Sequence, residues 1–235
     1  MPFGEQLKLV FEYKELLFAS LGYSMIIAFT AVIIGFVIGV ICAGVKIAPK
    51  GNIIVKIFDK IVDLYITVIR GTPMLVQLFL MYSIVLVSFK YSDNNLIVPI
   101  ISFGINSGAY MAEIIRSGIG SVDNGQMEAG RSLGLGWFTT MWKVVIPQAI
   151  KVVVPTIFNE IIILVKETSV VSLIALQVDG EQVYDLFGIV EKIQMLEPAC
   201  YNATLVVIAV IYLVIIILLT VIQKLIERRF KKNER

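Results

Sequence analysis

The chain has 235 residues, of which 58% are hydrophobic and 16% charged, with a formal net charge of +2. Soluble domains are about half apolar and about a quarter charged, so this balance excludes an ordinary soluble domain and points to a membrane protein. The absence of histidine excludes imidazole catalysis, histidine-ligated metal and imidazole proton relays, and two isolated cysteines suggest neither a disulfide nor a metal site.

The opening stretch MPFGEQLKLVFEYKELLF lacks a basic start, an apolar run and a small-residue cleavage site, so it does not read as a signal peptide. Leu7, Val10, Phe11, Leu17 and Phe18 recur at helical spacing, with Lys8, Glu12 and Glu15 between them. This predicts an interfacial amphipathic helix over 1–18. SMIIAFTAVIIGFVIGVICAGV and ATLVVIAVIYLVIIILLTVI carry no charge. Each is roughly 20 residues long, enough at about 1.5 Å per residue to cross about 30 Å of hydrocarbon. Five spans are expected, near Leu21–Val45, Thr72–Phe89, Leu96–Ile115, Val152–Leu176 and Ala203–Ile222. The second opens with RGTP, where Thr72 can cap and Pro73 suits a first helical turn.

Orientation follows from the basic residues of the short loops. Lys46, Lys50, Lys56, Lys60 and Arg70 follow span one; Arg116, Arg131, Lys143 and Lys151 follow span three; Lys224, Arg228, Arg229, Lys231, Lys232 and Arg235 follow span five. The alternate side has Lys90 and the acidic stretch QVDGEQVYDLFGIVEKIQMLEPAC. The N-terminus is therefore expected outside and the C-terminus inside.

Spans three and four carry polar stripes. Asn106, Tyr110 and Glu113 are spaced i, i+4, i+7, and Thr156, Glu160 and Glu167 are spaced i, i+4, i+11. Each set falls on one helical face. The two faces either line a pathway or glue two helices together; intramembrane ionisable groups favour the pathway. Between these spans, Gln126–Leu133 reads as a short helix, preceded by Gly125 and ended by Gly134. Trp137, Phe138, Met141, Trp142, Val145 and Ile146 predict a second, amphipathic helix, with Pro147 and Pro155 punctuating the entry to span four.

EAGRSLGLGWFTTMWKVVIPQA resembles the EAA motif of the permeases of ABC importers: Glu128, Ala129, Gly134 and Pro147 match, and Gly130 stands for the usual second alanine. VIRGTPMLVQLFLMY, INSGAYMAEIIRSGI and FNEIIILVKETSVVSLI look like the polar amino acid branch of that family. The external stretch around Gln177–Pro198 matches least. The resemblance implies an all-α integral membrane protein, a single permease domain over 1–235 with a cytoplasmic coupling region at 126–149. Glu128, Ala129, Gly130, Gly134 and Leu135 would then meet a separate cytoplasmic ATPase, where ATP and Mg reside; this chain holds no cofactor. No G-x-x-x-x-G-K-[ST] occurs in it, so it has no P-loop of its own. The implied assembly is two permeases, expected as a homodimer, with two ATPases and an external substrate-binding protein, in the inner membrane of a prokaryote.

A zwitterionic amino acid needs a carboxylate for its ammonium and donors for its own carboxylate. Glu160 suits the ammonium or a basic side chain; Asn159, Asn106, Ser107 and Tyr110 offer hydrogen bonds; Gln77 and Met74 would line the same cavity. Lys166 either receives a carboxylate or pairs with a glutamate. The excess of membrane-depth glutamate leans to arginine, lysine or histidine as substrate. The competing reading is an ion-coupled secondary amino acid transporter, which suits a broken polar span. No inverted repeat is visible, however, and ion coupling leaves the Glu128 block unexplained. A channel, a scaffold and a Lys166–Ser169 enzyme explain less.

Overall fold

A computed structural model describes residues 1–89 and 94–232; Lys90 and Arg235, counted above for orientation, lie outside them. The elements in chain order are α1 (Phe3–Glu12), α2 (Lys14–Ile47), α3 (Ile53–Gly71), α4 (Met74–Phe89), α5 (Ile97–Gly120), α6 (Asn124–Ser132) and α7 (Trp137–Thr140). A π-helical turn (Met141–Val145) leads into α8 (Ile146–Glu167) and a 3-10 turn (Thr168–Leu173). Strands β1 (Leu176–Val178) and β2 (Glu181–Val183) precede α9 (Ile189–Leu196), a 3-10 turn (Pro198–Cys200) and α10 (Tyr201–Lys232).

Among the described residues, four helical runs are long and apolar enough to cross a membrane: Lys14–Ile47, Ile97–Gly120, Trp137–Leu173 and Pro198–Phe230. A fifth span is reached when the bent pair α3 and α4 is counted as one. This revises the second span: α4 alone has 16 residues, about 24 Å at about 1.5 Å per residue, which falls short of the hydrocarbon. The stretch read above as a basic loop is α3, 19 residues long and strongly amphipathic. The expected break before span four is also absent. The helix runs on through Pro147 and Pro155. A proline ring clashes with the carbonyl four residues back, and the π turn at Met141–Val145 widens the helix around that carbonyl of Lys143.

The chain divides into two compact units. The first comprises Met1–Ile33, the described residues of Thr72–Gly104, and Ile161–Leu219. Its core joins Val10 of α1, Leu17 of α2, Leu186, Ile189 and Ile193 around α9, and Val207 and Ile208 of α10. The amphipathic helix expected over 1–18 is shorter, ending at Glu12, and it buries Val10 completely while Phe11 stays exposed. β1 and β2 form an antiparallel hairpin pairing Leu176 with Val183 and Val178 with Glu181. Asp179 (φ 53°) and Gly180 (φ 79°) make its two-residue turn, left-handed at both positions as a tight hairpin requires. Buried Asn95 braces the outer edge of β1. Its N–H donates to the Gln177 carbonyl (3.1 Å), its Oδ1 accepts from the Gln177 N–H (2.8 Å), and its Nδ2 donates to the Ala175 carbonyl (2.7 Å).

Asp185, 1% exposed, accepts from the N–H groups of Phe187 (3.0 Å) and Gly188 (3.1 Å). Nearby, Ser24 Oγ accepts from the Leu186 N–H (2.8 Å) and ties the same turn to α2. Asp185 borders a cavity of about 290 Å³ with Gln182, Tyr184 and Glu191.

The second unit comprises Ile34–Gly71, Ile105–Glu160 and the stretch from Thr220. Here α2, α3 and α5 meet at very short range. A Cβ on Gly108 would lie 2.7 Å from Ile38 Cγ2 and 2.7 Å from the Tyr65 hydroxyl, and one on Gly35 would lie 2.6 Å from Ser107 Oγ. Cys42, Val62 and Ala112 form the small core between them. Lys46 bridges Asp59 (3.0 Å) and Asp63 (2.6 Å), and Lys50 also pairs with Asp59, fastening the end of α2 to α3. Gln223 Nε2 donates to the Pro155 carbonyl (3.1 Å), joining α10 to α8.

Asp185 gives the first unit a pH dependence. Burial, assisted by the charge of Glu191, pushes its carboxyl up to about 7 against the pull of the N–H groups of Phe187 and Gly188. The folded chain therefore holds this proton more tightly than the unfolded chain. The contribution is complete below the ordinary carboxylate value and is lost as pH rises through about 7. The thermal midpoint of the purified chain should fall between pH 5 and pH 8 by on the order of 2–5 °C through this group. Asp185→Asn should flatten that slope, and an equal slope in the variant would refute the assignment.

Candidate functional site

The polar stripe of α5 is held from several sides. Asn106 (5% exposed) and Ser107 (0%) are buried, and Tyr110 is half-buried. The Arg70 guanidinium, at the end of α3, lies 5.2 Å from the centre of the Tyr110 ring. Glu113, the last member, is bound by Arg116 through two parallel contacts of 2.9 and 2.5 Å. That fork satisfies its carboxylate within one helix turn.

On α8 the two neighbouring candidates part. Glu160 is 6% exposed, whereas Asn159 is exposed. Adjacent helical residues point about 100° apart, so one side chain turns inward and the other outward. Gly118 of α5 receives Val153 of α8, which sets these two helices side by side. Thr156 Oγ1 donates back to the Val152 carbonyl of its own helix (2.9 Å). Ser107 Oγ faces Gly35 and has no hydrogen-bond partner among the described residues. Met74 and Gln77 belong to the other compact unit, in the first turn of α4. Gln77 Nε2 donates to Thr72 Oγ1 (2.8 Å) and to the Thr72 carbonyl (3.1 Å), so its amide helps to close the turn at Pro73. Lys166 is exposed and borders a cavity of about 440 Å³ with Ser169, Phe187 and Tyr212 in that same unit.

The 126–149 region is built from α6, α7, the π turn and the start of α8. Asp123 caps α6 by accepting from the Gly125 N–H (2.8 Å), which leaves Glu128 exposed in mid-helix rather than spent on the helix start. Gly134, at φ +81°, ends the helix. Its N–H donates to the Arg131 carbonyl (3.0 Å) and the Leu135 N–H to the Gly130 carbonyl (3.1 Å). This is the double closure that a left-handed glycine allows. Gly130 itself is buried against the Thr140 side chain, so its small size serves this internal packing. Gln148 Nε2 donates to Gln126 Oε1 (3.1 Å), tying α8 to α6. Ala129 is exposed and Leu135 half-buried. Leu133 (82% exposed), Phe138 (79%) and Trp142 (71%) present large apolar side chains that none of the described residues covers.

Sequence reasoning missed Asp123, whose signal was a cap residue just before the helix. It also missed Leu133, whose exposure follows from its place at the helix end, and Arg70, which had been counted only as a loop charge.

A family profile described as "Binding-protein-dependent transport system inner membrane component" matches residues 35–232. The chain belongs to that family. Its curated relatives include a Rickettsia typhi protein that carries the glutamine-permease name GlnP, 33% identical over 94% of this chain and 96% of its own length. The arginine transport system permease protein ArtQ of Bacillus subtilis is 32% identical over 92% of each chain. The L-cystine transport system permease protein TcyB of the same organism is 34% identical over 85% of this chain and 82% of its own. Among solved structures, an amino acid ABC transporter crystallised with histidines superposes with a TM-score of 0.83 at 37% identity, covering 95% of this chain and 98% of that one. The methionine transporter MetNI, at 19% identity and a TM-score of 0.73, shares the fold. The chain is thus a membrane-embedded transporter subunit and not an enzyme; ATP hydrolysis falls to a separate subunit.

The contact of Gly130 with Thr140 makes a direct prediction. Gly130→Val should cost about 1–3 kcal/mol by overpacking, read as a lower thermal midpoint of the purified permease. Thr140→Ala should restore part of the loss. Glu128→Gln, on the exposed face, should leave the midpoint within error.

Proposed function

We propose that this chain is the permease subunit that carries a polar amino acid inward across a prokaryotic inner membrane by alternating access, driven by ATP on a partner. What carries the reading is that the relatives named for glutamine, arginine and cystine each span 85–94% of this chain. The chemistry of the chain supports it. A buried glutamate in mid-α8 suits an ammonium or a basic side chain, and Asn106 and Tyr110 on α5 offer hydrogen bonds. The lean to a cationic amino acid rests on the excess of glutamate in the spans, Glu160 first among them.

In this reading α6 faces the ATPase, placed on the inner side by the basic residues of its neighbouring loops. Glu128, Ala129 and exposed Leu133 meet it, while Gly130, Gly134 and Leu135 hold the docking helix in shape. The permease pairs with a second copy of itself, two ATPases bind inside, and an external binding protein delivers the substrate.

Reconstitution with the ATPase and the binding protein tests this, with labelled glutamine, arginine, histidine and cystine as cargo. ATP-dependent uptake of at least one is expected. Glu160→Gln should lower its turnover about ten-fold or more, since it removes one partner of a buried charged contact. Normal turnover in Glu160→Gln would sink the ammonium site. Uptake that ignores ATP but collapses with an ion gradient would put the secondary-transporter reading in its place. Glu128→Arg should abolish ATPase stimulation while the isolated permease stays folded.

A further inference from the structure

Two side chains of α3 grip α5. The Tyr65 hydroxyl donates to the Ile105 carbonyl (2.5 Å), and the Arg70 guanidinium lies over the Tyr110 ring at 5.2 Å. The first contact belongs to the packed seam of α3 on α5, and the second is made by a long side chain at the end of α3. The first contact is fixed by Gly108, where any side chain would strike the Tyr65 hydroxyl. The second falls on the polar stripe, one turn beyond buried Asn106 and Ser107.

Tyr110 is half-buried beside the guanidinium. A cation within about 6 Å of an aromatic centre is attracted by the electron-rich face, and arginine is the commonest partner in such pairs. Arg70 is followed at once by Gly71, Thr72 and Pro73, where α3 stops. It therefore reaches Tyr110 from a helix end, the part of an element most able to shift.

We propose that Arg70 is a positioning residue for transport: its guanidinium pins the Tyr110 ring at the polar stripe. Substrate that touches this ring meets it in one orientation and next to a fixed positive charge, which favours a carboxylate at that point. Without Arg70 the ring turns freely and the stripe loses its shape. The transport consequence rests on the proposed amino acid function; the effect on the ring does not.

The test has two arms on the full permease–ATPase complex in nanodiscs. In the first, 3-fluorotyrosine is placed at position 110 and read by fluorine NMR. The parent complex should give one narrow resonance. Arg70→Gln should broaden or shift it, and Arg70→Lys, which keeps a cation, should do so less. An unchanged resonance in Arg70→Gln overturns the proposal whether or not any substrate is known.

In the second arm, turnover is measured with saturating binding protein. Arg70→Gln should lower turnover about three- to ten-fold, the range that a partly exposed cation–ring contact supports. It should cost the same in a Tyr110→Phe background, where the ring survives, and almost nothing more in a Tyr110→Leu background. Independent, multiplying losses in the leucine background would overturn the coupling. If the parent complex moves no amino acid, the transport reading fails, and the fluorine spectra still decide whether Arg70 holds the ring.

Discussion

The second unit depends on the absence of one methyl group. At Gly108 the backbone of α5 comes so near to Ile38 of α2 and Tyr65 of α3 that no side chain fits. Helices in lipid gain little from hydrophobic burial, because acyl chains are as apolar as leucine. They associate through close packing and hydrogen bonds, and small residues permit both. Gly35 and Gly39 of α2 extend the contact along Ser107 and Met111. This seam fixes the rotation of α5. Asn106, Tyr110 and Glu113 then fall roughly on the opposite side of the helix from it, as 3.6 residues per turn requires. The polar stripe is thus a consequence of where the glycines are.

The 126–149 region shows the same economy applied to stiffness. A loop between two spans would absorb a push at its tip. Here α7, the π turn and α8 form one helical run, and α6 is clamped to it by Thr140 against Gly130 and by the Gln126–Gln148 bond. The double closure at Gly134 leaves no slack between the pieces. Leu133, Phe138 and Trp142 are exposed on this frame among the described residues. The Gln126–Gln148 bond joins α6 to α8, the helix that carries Glu160.

Features with a one-dimensional signature were legible in the sequence. Uncharged runs of sufficient length gave the first and last spans, and the Gly134 stop gave the end of α6. The features that were not legible depend on tertiary contacts. Helix α3 alternates lysines and aspartates with apolar residues, so a charge count read it as a loop; its acids are matched by Lys46 and Lys50 from α2, which are distant in sequence. The hairpin had its turn signal in Asp179–Gly180, but two strands of three residues are too short for periodicity to reveal. Ser107 and Asn159 had been grouped with Glu160 by residue type, and only packing shows that the serine faces Gly35 and the asparagine is exposed. The contact of Gly130 with Thr140, ten residues away, likewise has no signature in the sequence.

The charges of the second unit differ in what they cost. Lys46 with Asp59 and Asp63, and Arg116 with Glu113, are partly exposed pairs whose desolvation is small and whose net worth is at most about 1 kcal/mol each. Their removal would be tolerated, and their role is to fasten helix ends. Glu160 is different: at 6% exposure, in the body of α8, its carboxylate has given up most of its hydration. Placing such a group at membrane depth costs about 2.5–3.5 kcal/mol on insertion scales. On the proposed function, the ammonium or basic side chain of a substrate is a partner that such a carboxylate suits. In that proposal α8 supplies the carboxylate, and α5, with Tyr110 under Arg70, supplies a second contact for the substrate.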